Sequence, residues 1–214
     1  MSPPTALNGN RLKVAILVYD QVEVLDFAGP YEVFTTASRM QRRLRPELAA
    51  HDGDLFEVVA VARTRQAIRA RAGLQVLPDA DFMTCPQADV LIVPGGVVDA
   101  AMQSADTLAW IAEVSAQARI TASVCTGSFL LAASGVITTE RVTTHWEDLN
   151  DLRQRFARLE VCDQVRWVDH GRVLTSAGIS AGLDMSLHLV ARLGGEELAL
   201  RTARQMDYAW NRTA

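Results

Sequence analysis

Cys125 stands where a run of small and β-branched residues gives way to a helix-forming apolar stretch, in Ile120-Thr-Ala-Ser-Val-Cys-Thr-Gly-Ser-Phe-Leu-Leu-Ala-Ala. A strand, a sharp turn and a helix in that order set a nucleophile at the turn, with its reactive atom exposed to a pocket. A helix N-terminus adds free N–H groups and partial positive charge, both of which favour thiolate over thiol. The expectation is therefore a reactive sulfur with a lowered pKa. The competing reading is a packed structural cysteine, since free cysteines are among the most buried residues. Gly127 and Ser128 tilt the choice toward chemistry, because they leave space above the sulfur.

Candidate partners for that sulfur are spread along the chain. Asp26 is expected in a loop after the first strand, either as a local turn acceptor or facing the thiol to hold or deliver a proton. A carboxyl beside a thiolate in a buried site should have a raised pKa. Gly95 and Gly96 let backbone approach closely. Their N–H groups and that of Thr126 would form an anion-stabilising hole, unless the pair is an ordinary turn. His145, in Thr-Thr-His-Trp, reads equally as a base or pocket wall near the sulfur and as a packed residue at a strand end. Glu32 suits the dipole of its helix, and Asp184 suits a helix start better than catalysis. His51 and His170 fall in polar stretches, and His188 lies on an apolar helix.

These residues need a scaffold that gathers them. Leu12–Tyr19, Phe56–Ala62, Asp89–Val93 and 120–124 read as buried strands, and 165–175 as strands around an Asp169-His-Gly-Arg turn. Gly29-Pro30 is expected to open a helix running to about Met40. Further helices are expected over 107–118, 148–158, 180–193 and 196–210, with a small ribbon over 67–77. Strands alternating with helices, and without internal polar alternation, predict an α/β three-layer sandwich on a mostly parallel sheet. Sites in such folds lie beyond the carboxyl ends of the strands, where the 20–30, 94–98 and 125–127 segments fall.

Composition narrows the functions available. The chain has 214 residues, 49% hydrophobic and 21% charged, which suits one globular domain over 11–214 after a disordered tail at 1–10. A formal net charge of −4 offers nothing to a nucleic-acid backbone, and the Arg39, Arg42, Arg43, Arg45 cluster reads as a solvated helix end. Three cysteines in no zinc or redox spacing suit a reducing cytoplasm. No run is apolar enough to span a membrane, the first residues lack the pattern of a secretory signal, and no metal-ligand spacing occurs.

The motifs Leu25-Asp-Phe-Ala-Gly-Pro-Tyr-Glu-Val-Phe, Leu91-Ile-Val-Pro-Gly-Gly, Val124-Cys-Thr-Gly-Ser, Thr143-Thr-His-Trp and Gly178-Ile-Ser-Ala-Gly-Leu-Asp resemble those of the ThiJ/PfpI superfamily. The resemblance runs from about residue 12 to 208 and implies the flavodoxin-like, class I glutamine amidotransferase-like fold, commonly as a homodimer. Within it the chain is most similar to isonitrile hydratases and to the corresponding domains of AraC-type regulators. The hydratase resemblance implies a cofactor-free hydro-lyase acting on a small isonitrile, with Cys125 as nucleophile, Asp26 as catalytic acid and Thr126 orienting substrate or water. Members with peptidase-like or deglycase-like activity often carry histidine directly after the cysteine; here Thr126 stands there. The alternatives are another cysteine enzyme acting on small carbonyls or amides, and a non-catalytic ligand-sensing domain. The regulators continue into a DNA-binding segment near the position of Asp207-Tyr-Ala-Trp, where this sequence is ending.

Overall fold

A computed structural model describes residues 11–46 and 54–213; the expected tail at 1–10 and His51 lie outside them. The strands are β1 (Leu12–Leu17), β2 (Phe56–Ala62), β3 (Ile68–Arg69), β4 (Gln75–Val76), β5 (Ala80–Asp81), β6 (Val90–Val93), β7 (Ile120–Val124), β8 (Arg141–Val142), β9 (Glu160–Val161), β10 (Trp167–His170) and β11 (Val173–Ser176). Seven of them make one sheet in the order β10-β11-β7-β6-β1-β2-β5, and only β10 runs antiparallel to its neighbour. The five central parallel strands, in chain order, are therefore arranged 2-1-3-4-5, the flavodoxin-like order. The order reverses between β1 and β6, and this is where a crevice opens beyond the strand ends.

The helices are α1 (Val24–Leu44), α2 (Asp99–Gln103), α3 (Ala105–Gln117), α4 (Gly127–Ala133), α5 (Leu149–Arg155), α6 (Ala181–Gly194) and α7 (Glu196–Gln205). Successive strand side chains point to opposite faces, and both faces are covered. Val14, Ile16, Val90, Ile92 and Ala122 join Val33, Phe34, Met185 and Leu189 in one buried cluster, beneath α1, α6 and α7. Ala15, Leu17, Leu91 and Val93 join Trp110, Ile111, Phe129 and Leu152 in the other. Apolar burial on both sides explains why the strands read as continuous hydrophobic runs.

One expectation is corrected. The helix expected to open at Gly29-Pro30 opens at Val24, so Asp26 is in its first turn and Pro30 lies inside it. Proline has no N–H, so the carbonyl of Asp26 loses its donor four residues on. Buried Phe27, Val33, Phe34 and Ala37 hold α1 on the sheet across that gap. The arginine cluster does lie at the solvated end of α1, where Arg39 pairs with Glu32 and Arg42 with Asp54.

Candidate active site at the strand ends

Cys125 follows the last residue of β7 with φ +56°, in the left-handed region where a β-carbon crowds the backbone. Several contacts hold it there. Its N–H donates to the Ser176 carbonyl at 3.1 Å. Its own carbonyl accepts from the Thr144 hydroxyl at 3.0 Å and the Ser128 hydroxyl at 3.3 Å. Gly127 lets the turn press on the end of β6, since a β-carbon there would lie 2.1 Å from the Val93 carbonyl oxygen. That contact is why the turn needs glycine at 127.

Asp26 reaches the elbow from the other side. It is fully buried, and Oδ2 accepts the Gly95 N–H at 3.1 Å. Oδ1 is buried and has no hydrogen-bond partner. Burial pushes this carboxyl up to about 7; the Gly95 N–H pulls it back, the Glu23 charge raises it, and the nearby Cys125 thiol lowers it again. Asp26 is thus poised between acid and base near neutral pH.

The expected anion hole is built differently. The Gly95 N–H is given to Asp26, and the Gly96 N–H to Thr126 Oγ1 at 2.9 Å. The Thr126 hydroxyl in turn donates to the Gly96 carbonyl at 2.9 Å, so its proton is also committed. Gly95 and Gly96 therefore position the acid and the elbow. Both close approaches need glycine: a β-carbon on Gly95 would lie 2.6 Å from Thr126 N, and one on Gly96 would lie 2.3 Å from the Gln21 carbonyl oxygen.

The thiol itself departs from expectation. Burial raises its pKa far above the ordinary value, and the charge of Asp26 adds to this. The Thr126 N–H and hydroxyl pull it down, and Asp148 raises it again. The helix N-terminus does supply a hydrogen bond, but desolvation and two carboxylates outweigh it. The net direction favours the thiol over the thiolate. Cys125 as a residue is buried, with 7% of its surface exposed.

His145 comes to the sulfur from the β11 side. It caps the single turn Trp146–Asp148. A β-carbon on Gly178 would lie 2.5 Å from His145 Cδ2 and 2.8 Å from Cys125 Sγ, so imidazole and sulfur stand on either side of one missing methyl group. His145 Nδ1 lies 3.4 Å from the Glu147 N–H and 3.4 Å from Asp148 Oδ2. Burial raises the Asp148 carboxyl, and His145 beside it pulls it down.

Sequence reasoning did not single out three residues of this constellation. Gly178 supplies the gap just described. Asp148 stands one turn beyond His145, a His-x-x-Asp spacing readable once a turn is assumed. Tyr19 donates to the Pro94 carbonyl at 2.9 Å, and burial, then the charges of Asp26 and Cys125, raise its phenol. Other candidates lie elsewhere. Asp184 is buried under Arg166 and accepts the Asn211 N–H, anchoring the last residues described. His188 and Arg192 both pair with Asp169. Glu32 bonds Thr36 and Arg39 on the exposed face of α1. Among the described residues, no group of three His, Cys, Asp or Glu side chains is placed to hold a metal ion, and no helix is long and apolar enough to cross a membrane.

Residues 12–192 match the DJ-1/PfpI family. The chain is 35% identical over 199 residues to the isonitrile hydratase of Pseudomonas putida, covering 92% of this chain and 79% of that protein. It is 27% identical over 201 residues to the HTH-type transcriptional regulator GbdR of Pseudomonas aeruginosa, of which it spans about half, 52%. Among solved structures, a ThiJ/PfpI family protein from Pseudomonas syringae superposes with a TM-score of 0.79 at 31% identity, over 94% of this chain and 76% of that one. Drosophila melanogaster DJ-1beta superposes with a TM-score of 0.77 at 17% identity, over 94% of this chain and 100% of that one, a likeness of fold alone.

Proposed function

The chain belongs to the DJ-1/PfpI family, and from that premise we propose that it is an isonitrile hydratase, converting R–N≡C and water to the formamide R–NH–CHO through Cys125. The observation that carries this reading is a fully buried Asp26, its carboxyl pushed up to about 7, set beside Cys125 on a turn held at φ +56°. The relative that bears the hydratase name is 35% identical over 92% of the chain.

The terminal isonitrile carbon carries a lone pair and accepts both a proton and a nucleophile. Asp26 takes the thiol proton as sulfur bonds to that carbon, and delivers the proton to the same carbon. The product is a thioimidate, R–N=CH–S, on Cys125. Water then adds to the carbon, the C–S bond breaks with its electron pair on sulfur, and the formamide leaves. Splitting the hydration through a covalent intermediate replaces one hard step by two easier ones. The Thr126 N–H lowers the proton affinity of the sulfur and so eases loss of the thiol proton. The enzyme needs no cofactor in this scheme and is proposed to work as a homodimer.

Incubation with cyclohexyl isocyanide tests the proposal, with N-cyclohexylformamide as the product measured. Wild type should form it. Cys125→Ala should abolish turnover, and Asp26→Asn should lower it by about a hundredfold or more. Absence of formamide from wild type across several isonitriles would overturn the reading. The match to GbdR favours a second reading, a ligand-sensing domain. Isonitrile binding without turnover would support it.

A further inference from the structure

The proposed first step returns Asp26 to a carboxylate on the buried side of the sulfur, and the second needs a base on the side that water can reach. Resting on the hydratase reading, we infer that Asp148 is a positioning residue for His145, and that this pair activates the water that releases Cys125. In the sheet β7 lies between β6 and β11. Asp26 and Gly95 therefore flank the sulfur from the β6 side, and His145 and Gly178 from the β11 side. The first side is dry, with Asp26 fully buried. The second reaches solvent: the His145 side chain is 16% exposed and that of Asp148 37%. Water arrives where His145 stands.

Three groups face His145 Nδ1: the Glu147 N–H and Asp148 Oδ2, both at 3.4 Å, and the more exposed Glu147 Oε2 at 3.8 Å. In the structure Nδ1 accepts the Glu147 N–H at 3.4 Å, an arrangement that leaves the proton on Nε2, where the ring cannot act as a base toward the site. The Asp148 carboxylate lies at the same distance, 3.4 Å, and a shift of the ring toward it would place the proton on Nδ1 and free the Nε2 lone pair. Asp148 thus selects the tautomer that can do the work. As the water oxygen bonds to the thioimidate carbon, one water proton passes through Nε2 to the substrate nitrogen. The other leaves with the departing sulfur, which becomes a thiol again. The histidine absent after Cys125 in the sequence is supplied in space from twenty residues on.

The test uses the full chain with two substrates, cyclohexyl isocyanide and p-nitrophenyl acetate, whose acyl group forms a Cys125 thioester that water must also release. Imidazole nitrogen NMR reads the His145 tautomer directly. In Asp148→Asn the neutral ring should move to the Nε2–H form. The p-nitrophenolate burst should keep its amplitude, the steady rate should fall about tenfold, and acyl-enzyme should accumulate by mass spectrometry. Asp148→Glu should recover much of the rate. His145→Gln should keep the burst and lose about a hundredfold in release. An unchanged tautomer and release rate in Asp148→Asn would overturn the inference, as would a wild type that forms no acyl-enzyme. Ester turnover with the expected variant pattern but no formamide from isonitriles would sink the hydratase reading and leave the His145–Asp148 assignment standing.

Discussion

At Cys125 the backbone and the side chain make opposing demands. The backbone at φ +56° suits glycine, which has no β-carbon to crowd the carbonyl. The chemistry requires a thiol. The site therefore stores strain, held by Ser176, Thr144 and Ser128 around the peptide. Removing the sulfur in two ways separates the two contributions. Cys125→Gly should be more stable than Cys125→Ala by about 1 kcal/mol, although both are inactive, because only alanine retains the strained β-carbon. Thermal or urea unfolding of the pair measures this directly, and a Cys125→Ala protein as stable as Cys125→Gly would show the turn to be unstrained. Cys125 was readable from its flanking residues because a strand-turn-helix pattern is local. Its proton affinity was not, because burial raises it first and the charges of Asp26 and Asp148 add to that, all set by tertiary packing of elements distant in sequence.

The elbow and the loop after β6 act as one unit through a single side chain. Thr126 Oγ1 accepts from the Gly96 N–H and donates to the Gly96 carbonyl. Thr126→Val keeps the shape and removes both bonds, leaving two backbone groups without partners in a close-packed site. The cost should be about 2–3 kcal/mol, and Thr126→Ser should recover most of it; equal stability of all three proteins in denaturant titration would argue against the latch. The elements themselves were largely legible. Val90–Val93 ends at Pro-Gly-Gly, and the antiparallel turn at Gly171 falls inside the expected 165–175 segment. The start of α1 was misread because proline is a strong local signal for a first turn, while the packing of Phe27, Val33 and Phe34 that extends the helix backward to Val24 is tertiary. That misreading hid why Asp26 points at the elbow: it is a residue in the first turn of a helix, fixed by the sheet beneath, and not a loop residue free to turn away. The use of the Gly95 and Gly96 N–H groups was equally illegible, since sequence shows that backbone can approach and not what it will bond.

Over the whole molecule, the reversal of strand order between β1 and β6 brings the start of α1 against the loop after β6, and so buries a carboxyl that the rest of the fold must tolerate. Its effect on stability has a definite sign. The folded-state pKa of Asp26, about 7, lies above the unfolded value near 3.8, so between those limits the folded protein binds the proton that the unfolded chain releases. This contribution to stability is fully present below about pH 4, falls as pH rises toward 7, and is lost above it. A move of that size corresponds to about 4 kcal/mol, to order of magnitude. Asp26→Asn has no charge to bury, so its unfolding free energy should lack this fall. The variant should equal or exceed wild type in stability at pH 8, and the gap should close or reverse toward pH 5. Urea unfolding of both proteins across that range checks it, and parallel pH profiles would show that Asp26 titrates normally. The same comparison bears on the chemistry: a variant more stable than wild type at alkaline pH and unable to hydrate isonitriles is the signature of a carboxyl kept for reactivity at the expense of the fold.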